Sequence, residues 1–177
     1  MEQKIILLSG VHGVGKGYYL KKNYAMSEKF TILEASTLIK RYKEADDAGY
    51  KRVKNISNNQ DVLLTALLEE QKTVRNNIIL DGHLCLLDSN GELECIPEDF
   101  IIKASINGII LLQDKAEVIV QRQAIRDGKK VSCELVDKMQ KEERNYCEML
   151  FSKYNILYSV IDSNCDYNQF CEIVNRM

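Results

Sequence analysis

The sequence predicts an α/β protein of three layers, a five-stranded parallel sheet with helices on both faces. Three observations carry this. Five short apolar runs, at residues 5–8, 30–33, 78–80, 108–112 and 156–161, have the length of buried strands. Segments with apolar residues at helical spacing separate them, and that alternation packs helices on both sides of a parallel sheet. The first run then breaks into Gly10, Gly13 and Gly15, followed at once by Lys16. In such sheets ligands sit at the carboxyl ends of the strands. The Gly10–Lys16 loop, Glu34, Asp81, Asp114 and Asp162 all fall there.

The whole chain sets the bounds. Its 177 residues suffice for one domain with a proper core. With 45% apolar and 28% charged residues the composition is that of a soluble globular protein. A net charge of −2 offers no global basic field for nucleic acid or a membrane surface. The apolar run at 5–8 is too short for a signal peptide or a membrane span, so a cytoplasmic protein is expected. Six cysteines form no C-x-x-C pair and there are two histidines, which argues against zinc. Reduced, mostly buried thiols are expected. Nothing in the sequence fixes the oligomeric state.

Taken in order, strand one is expected over 3–9 and its helix over 15–24. A second strand runs to Glu34, and residues 35–46 read as a helix with Leu38, Ile39 and Tyr42 at helical spacing. Residues 46–58, with Gly49, Lys51, Arg52 and Lys54, read as a loop. Ser57 to Gln60 matches a capping box, opening a helix whose inward stripe is Leu63, Leu64, Leu67 and Leu68. Residues 77–81 form a strand ending in Asp81. Residues 82–96 read as a polar loop with a turn at Ser89-Asn90-Gly91. Pro97 opens a short helix. A strand at 108–112 leads to a helix capped by Asp114 that stops before Asp127-Gly128. Ser132 caps a long helix, 133–154, ended by Asn155. A fifth strand at 156–161 and a helix at 167–176 close the chain.

Residues 10–16 read Gly-Val-His-Gly-Val-Gly-Lys, the G-x-x-x-x-G-K pattern of a phosphate-binding P-loop, lying between a strand and a helix. The glycines let backbone N–H groups approach an anion. The helix N-terminus adds positive potential, and Lys16 a compact charge for the β/γ-phosphates. The nucleotide-binding set is therefore Gly10, Val11, His12, Gly13, Val14, Gly15, Lys16, Gly17 and Tyr18, with Arg122. Position 17, normally Ser or Thr for Mg²⁺, is glycine. A dinucleotide-binding loop is the competing reading. It would use Glu34 for a ribose, but it wants a third glycine where Tyr18 stands and has no role for Lys16.

Asp81, at the end of a buried strand, stands where a carboxylate reaches Mg²⁺ through water; otherwise it caps the turn at Gly82. Arg122 and Arg126 share a helix face near its C-terminal end. They suit charge neutralisation during phosphoryl transfer, or else form a solvated basic face. Lys16, Asp81, Arg122 and Arg126 are thus the catalytic candidates. Ser36, Arg41, Asn59, Gln60, His83 and Arg144 are the acceptor-binding candidates, the bland alternative being two capped helices, a turn histidine and an exposed ion pair.

This set resembles the nucleoside monophosphate kinases, in particular the archaeal-type adenylate kinases. The loop at 10–16 is similar to their Gly-Val-Pro-Gly-x-Gly loop, with His12 in place of proline. Ile79-Leu-Asp-Gly-His83 resembles their strand-end Asp segment, Arg122 and Arg126-Asp127 the arginines flanking their short lid, Arg144 an arginine on the helix after it, and 88–97, more distantly, their loop around a Gly and a Pro. Asn-Ile-Ser-Asn-Asn-Gln-Asp at 55–61 and Asp-Gly-His-x-Cys-Leu-Leu at 81–87 are closer still to small bacterial ATP-binding proteins, which implies a P-loop domain but no substrate. The resemblance implies the P-loop NTPase fold with strand order 2-3-1-4-5. It also implies one domain over 1–177, an acceptor-binding insertion at 35–75 and a short lid at 126–132. ATP and Mg²⁺ would be the cofactors, and a nucleoside monophosphate or similar small molecule the acceptor. Gly17 keeps open a nucleotide-binding sensor with little catalysis. A slow ATPase or a kinase of a non-nucleotide acceptor, an RNA end included, is the third possibility, and the near-neutral charge argues against nucleic acid.

Overall fold

A computed structural model of the chain describes residues 3–23, 26–47, 59–88, 90–128 and 131–177. The elements are β1 (Ile5–Ser9), α1 (Lys16–Lys22), α2 (Met26–Lys29), β2 (Phe30–Glu34), α3 (Ala35–Asp47), α4 (Asn59–Thr73), β3 (Asn77–Asp81), β4 (Cys85–Leu87), β5 (Leu93–Cys95), α5 (Glu98–Lys103), β6 (Ile106–Leu112), α6 (Ala116–Asp127), α7 (Cys133–Tyr154), β7 (Leu157–Ile161) and α8 (Tyr167–Arg176). The main sheet is parallel in the order β2-β3-β1-β6-β7. With the two hairpin strands β4 and β5 set aside, this is 2-3-1-4-5.

Strand residues read as continuous apolar runs because both faces of the sheet are covered. Ile5, Leu7, Ile78, Leu80, Ile109 and Leu111 face Leu38, Leu63, Leu67, Phe100 and Leu150 of α3, α4, α5 and α7. Their alternates Ile6, Leu8, Ile79, Ile110 and Leu112 face Tyr19, Ile119, Val136, Phe170 and Val174 of α1, α6, α7 and α8. Each such buried side chain contributes about 2 kcal/mol. The parallel register sets Leu8 beside Asp81 and Glu34 beside Asp81, so β1, β2 and β3 end together at one edge of the sheet.

Helix ends follow their chemistry. Ser132 accepts from Leu135 N–H at the start of α7, and Asn155 ends that helix in the left-handed conformation. Asp166 and Gln169 form a reciprocal capping box on α8.

Four local expectations are corrected. On α4 the buried residues are Val62, Leu63, Ala66 and Leu67, while Leu68 is exposed. The expected polar loop 82–96 holds the hairpin β4–β5. Its directly opposed Cys85 and Cys95 are joined in a disulfide, where reduced thiols were expected; pairing of the two strands is what brings them face to face. Asp114 does not cap α6, whose N-cap is Lys115 without a side-chain bond. The Asp114 carboxylate instead accepts from Lys115 N–H and pairs with Arg122. α2 was not anticipated. Of the loop expected at 46–58, residues 46 and 47 belong to α3, and the rest, with its basic group and the Ser57 cap, lies outside the described residues, as do Tyr24, Ser89 at the turn, Lys129 and Lys130.

Candidate functional site

β1 delivers the chain to Gly10, and α1 begins at Lys16 with Gly15 at its N-cap, φ 104°. Gly13 has φ 84°, and a Cβ there would come within 2.5 Å of Gln123 Cγ, so only glycine fits. Val11 and Val14 are buried and pin the loop to the core beneath it. α6 clamps the same loop. Gln123 Nε2 donates to the His12 carbonyl, and Arg122 Nη1 to the Val14 carbonyl at 2.7 Å. Arg122 also pairs with Asp114 at 3.0 Å. The two carbonyl oxygens that would repel an anion are thereby held by α6 donors.

Lys16 is 7% exposed. Its Nζ donates to the Gly10 carbonyl at 3.0 Å and to His83 Nε2 at 3.1 Å, and lies 3.7 Å from Asp81 Oδ1. Burial pushes the Lys16 ammonium below its ordinary range, against the pull of Asp81 and Glu143. Burial likewise raises Asp81, with Lys16 opposing and Glu34 assisting. Burial and the Lys16 charge bring His83 down to about 3, so its ring is neutral and Nε2 is the acceptor. At the mouth, Arg126 bonds both carboxylate oxygens of Asp127 at 2.9 Å and contacts His12. His12 Nε2 lies 2.9 Å from Asp127 Oδ2. The Arg126 and His12 contacts hold Asp127 well below the usual carboxylate range.

Lys16, Asp81, His83, His12, Arg122 and Arg126 border a cavity of about 650 Å³. Of the residues singled out from the sequence, Val11, His12, Gly13, Gly15, Lys16, Gly17, Tyr18, Ser36, Asn59, Gln60, Asp81, His83, Arg122 and Arg126 line it. Gly10 and Val14 belong to the loop's inner side and do not. Arg41 is drawn away by Glu70, and Arg144 by Gln113; neither borders the cavity.

Sequence reasoning missed several contributors. Lys21, Ile39, Leu63, Leu86, Ile96 and Phe100 also line the cavity. Gln123 sat unnoticed beside Arg122. Ser9 and Glu143 form a buried support below the loop: Ser9 Oγ accepts from Leu84 N–H and donates to Glu143 Oε1, both at 2.8 Å. Glu143 is fully buried, and that burial raises its carboxyl, with the Ser9 bond and Lys16 opposing. In sequence it stands in the run Glu142-Glu143-Arg144, which reads as a solvated face.

A Mg²⁺ ion bound with nucleotide phosphates would find the Asp81 carboxylate on the cavity wall and no hydroxyl at Gly17. Among the described residues no group of three or more His, Cys, Asp or Glu could hold a metal unaided. No described helix is long and apolar enough to cross a membrane.

The fold agrees with known proteins. A tunicamycin resistance protein from Deinococcus radiodurans aligns at 16% identity over 99% of this chain and 95% of its own, TM-score 0.60. TT1252 from Thermus thermophilus aligns at 17% identity over 99% and 96%, TM-score 0.53. A gluconokinase from Sinorhizobium meliloti 1021 aligns at 17% identity over 97% and 87%, TM-score 0.48. The first two share the fold. No curated protein matches the sequence significantly. The AAA domain family model matches residues 9–140, which span the loop, Asp81 and both arginines of α6. The chain therefore belongs to the AAA domain family, as a P-loop protein of nucleoside-monophosphate-kinase-like build.

Proposed function

We propose that the protein is a phosphotransferase that moves the γ-phosphoryl group of ATP to a small acceptor. The observation that carries this is the shape of the site. The loop, Lys16, Arg122 and Arg126 border one end of a single cavity, and Ser36, Asn59, Gln60 and the apolar residues of α3–α5 border the other. A donor nucleotide and an acceptor can meet there in line. Lys16 and the loop N–H groups bind the β- and γ-phosphates. To do so Lys16 exchanges its bonds to Gly10 and His83 for phosphate oxygens, while Asp81 stays beside it. Arg126, released from Asp127, stabilises charge on the transferring group. Mg²⁺, when bound, neutralises charge on the phosphates, and Asp81 is the residue that would hold it through water. In this reading 35–75 is the acceptor-binding segment and 126–132 the lid, and the resemblance supplies a nucleoside monophosphate or similar molecule as acceptor.

ADP release measured against a panel of small acceptors tests the proposal. Turnover with at least one acceptor above that with ATP alone is expected. If none is found for either the wild type or Gly17→Thr, transfer is excluded. Gly17 supports one other reading, a module that binds nucleotide without transferring phosphate. That reading expects ATP or ADP affinity unchanged by EDTA in titration calorimetry.

A further inference from the structure

We propose that the Cys85–Cys95 bond is a thiol–disulfide exchange site for a small thiol of the glutathione class. Its state sets how firmly the β4–β5 hairpin holds one wall of the cavity. The inference stands apart from the phosphotransfer reading. On that reading the wall belongs to the acceptor, so redox state would govern acceptor binding and leave the nucleotide loop alone.

The bond sits at the edge of the cavity. Leu86, next to Cys85, and Ile96, next to Cys95, both line it. Each hairpin strand has three residues, and a two-stranded hairpin is marginal by itself. Its base is anchored. Leu84 N–H donates to Ser9 Oγ at 2.8 Å, Ile96 N–H to the Leu84 carbonyl at 2.7 Å, and Tyr146 O–H to the Ile96 carbonyl. Toward the tip, Asp88 N–H donates to the Glu92 carbonyl at 2.8 Å. Hydrogen-bonded pairs alternate along an antiparallel ladder. With Leu84/Ile96 and Asp88/Glu92 bonded, Cys85/Cys95 is a non-hydrogen-bonded pair, where opposed side chains stand closest. The disulfide is the cross-link at that level. Breaking it leaves the short ladder to hold Leu86 against the cavity, and the same ladder brings the two sulfurs back together.

Access and context favour exchange over a permanent staple. Four of the six cysteines are free, and Cys133 and Cys165 among them are half-buried, so the chain is not built on a disulfide framework. Cys85 is buried and Cys95 half-buried, so Cys95 is the side that a thiolate from solvent reaches. The step balances. A glutathione thiolate bonds to the Cys95 sulfur, the Cys85–Cys95 bond breaks, and the Cys85 sulfur leaves and takes a proton from water. A second glutathione thiolate attacks the glutathione sulfur of the mixed disulfide, which frees Cys95 and forms glutathione disulfide. Two electrons and two protons pass from two glutathiones to the protein, and glutathione disulfide returns the bond by the reverse route.

The test follows the folded full chain in reduced glutathione and then in glutathione disulfide, by alkylation mapping and by hydrogen exchange, both read by mass spectrometry. Reduced glutathione is expected to free Cys85 and Cys95 to alkylation. Exchange over Cys85–Leu87 and Leu93–Cys95 should rise about tenfold or more, with exchange over Gly10–Lys16 unchanged. Glutathione disulfide should restore both. The double variant Cys85→Ala, Cys95→Ala should exchange as the reduced wild type does and should not respond to glutathione. A bond that survives reduced glutathione in the folded chain overturns the inference, as does a cleaved bond with hairpin exchange unchanged. An equal response in the double variant also overturns it, by placing the effect in the other cysteines. A matching rise over Gly10–Lys16 overturns the confinement to one wall. None of these readouts needs phosphate transfer, so an acceptor panel without turnover would count against the phosphotransfer reading alone.

Discussion

Replacing Gly17 with threonine should give the loop the Mg²⁺ ligand that its pattern lacks. A Cβ built at Gly17 meets nothing within 4 Å. At Gly10, by contrast, it would lie 2.4 Å from the Leu112 carbonyl oxygen. Gly17 sits in the first turn of α1, where exchanging glycine for threonine changes helix stability by only about 0.5 kcal/mol. The variant should therefore fold as the wild type does, and any change in activity reports on the hydroxyl. A polar group gained next to a charged ligand contributes about 1.5–3 kcal/mol. That corresponds to roughly 10- to 100-fold in kcat/KM, since each 1.36 kcal/mol off the barrier is about tenfold. The assay is ADP release at a fixed acceptor concentration with Mg²⁺ titrated. The half-saturating Mg²⁺ concentration should fall and the rate should rise. Identical Mg²⁺ curves for the two proteins, with melting temperatures unchanged, would refute the reasoning, because position 17 would then not limit metal binding.

Three further outcomes are expected. The folded chain holds His83 at about 3 against an ordinary 6.5, so only the unfolded chain takes up that proton between those values. Stability is then lost as pH falls through this window, by up to about 1.4 kcal/mol per pH unit. Urea unfolding of His83→Gln between pH 4 and 7 should show a slope shallower by about one proton, and parallel curves contradict this. Leu67→Ala, at a fully buried position, should cost about 2–5 kcal/mol, and Leu68→Ala, at a position 41% exposed, less than about 1 kcal/mol. Denaturant midpoints check the phase of α4, and equal losses argue against it. Alkylation of the denatured protein should modify the four free cysteines without reductant and all six with it, as read by mass spectrometry. Six without reductant means that Cys85 and Cys95 are not joined.

Much of the fold was legible because its signals are local. A strand covered on both faces reads as an unbroken apolar run, as residues 5–8 and 78–80 do. Ser132 and Asn155 announce helix ends through local capping chemistry. What stayed hidden depends on partners distant in the chain. Leu63, Leu64, Leu67 and Leu68 form a symmetric pattern, and only packing against α3 and the sheet turns Val62 and Ala66 inward. Asp114 has the sequence of a cap, yet Arg122 competes for its carboxylate. The hairpin strands are three residues each, too short for a periodic signal, and their register comes from pairing rather than composition. At the site, the loop, Asp81 and the α6 arginines could be named because residue type and strand-end position coincide. Glu143 could not, since burial under the loop comes from where α7 crosses the sheet. Arg41 and Arg144 carry the right charge but turn to nearer partners.

Calorimetric titration of ATP into wild-type protein and Lys16→Met tests the central claim most directly. Methionine fills the space of the buried Lys16 stem, 7% exposed, while removing the charge that would meet the phosphates. One binding site per chain is expected for the wild type, weakened at least tenfold, or about 1.4 kcal/mol, in the variant with its melting temperature preserved. Absence of ATP binding to the wild type, or equal affinity in the two proteins, would contradict a nucleotide site at Gly10–Lys16.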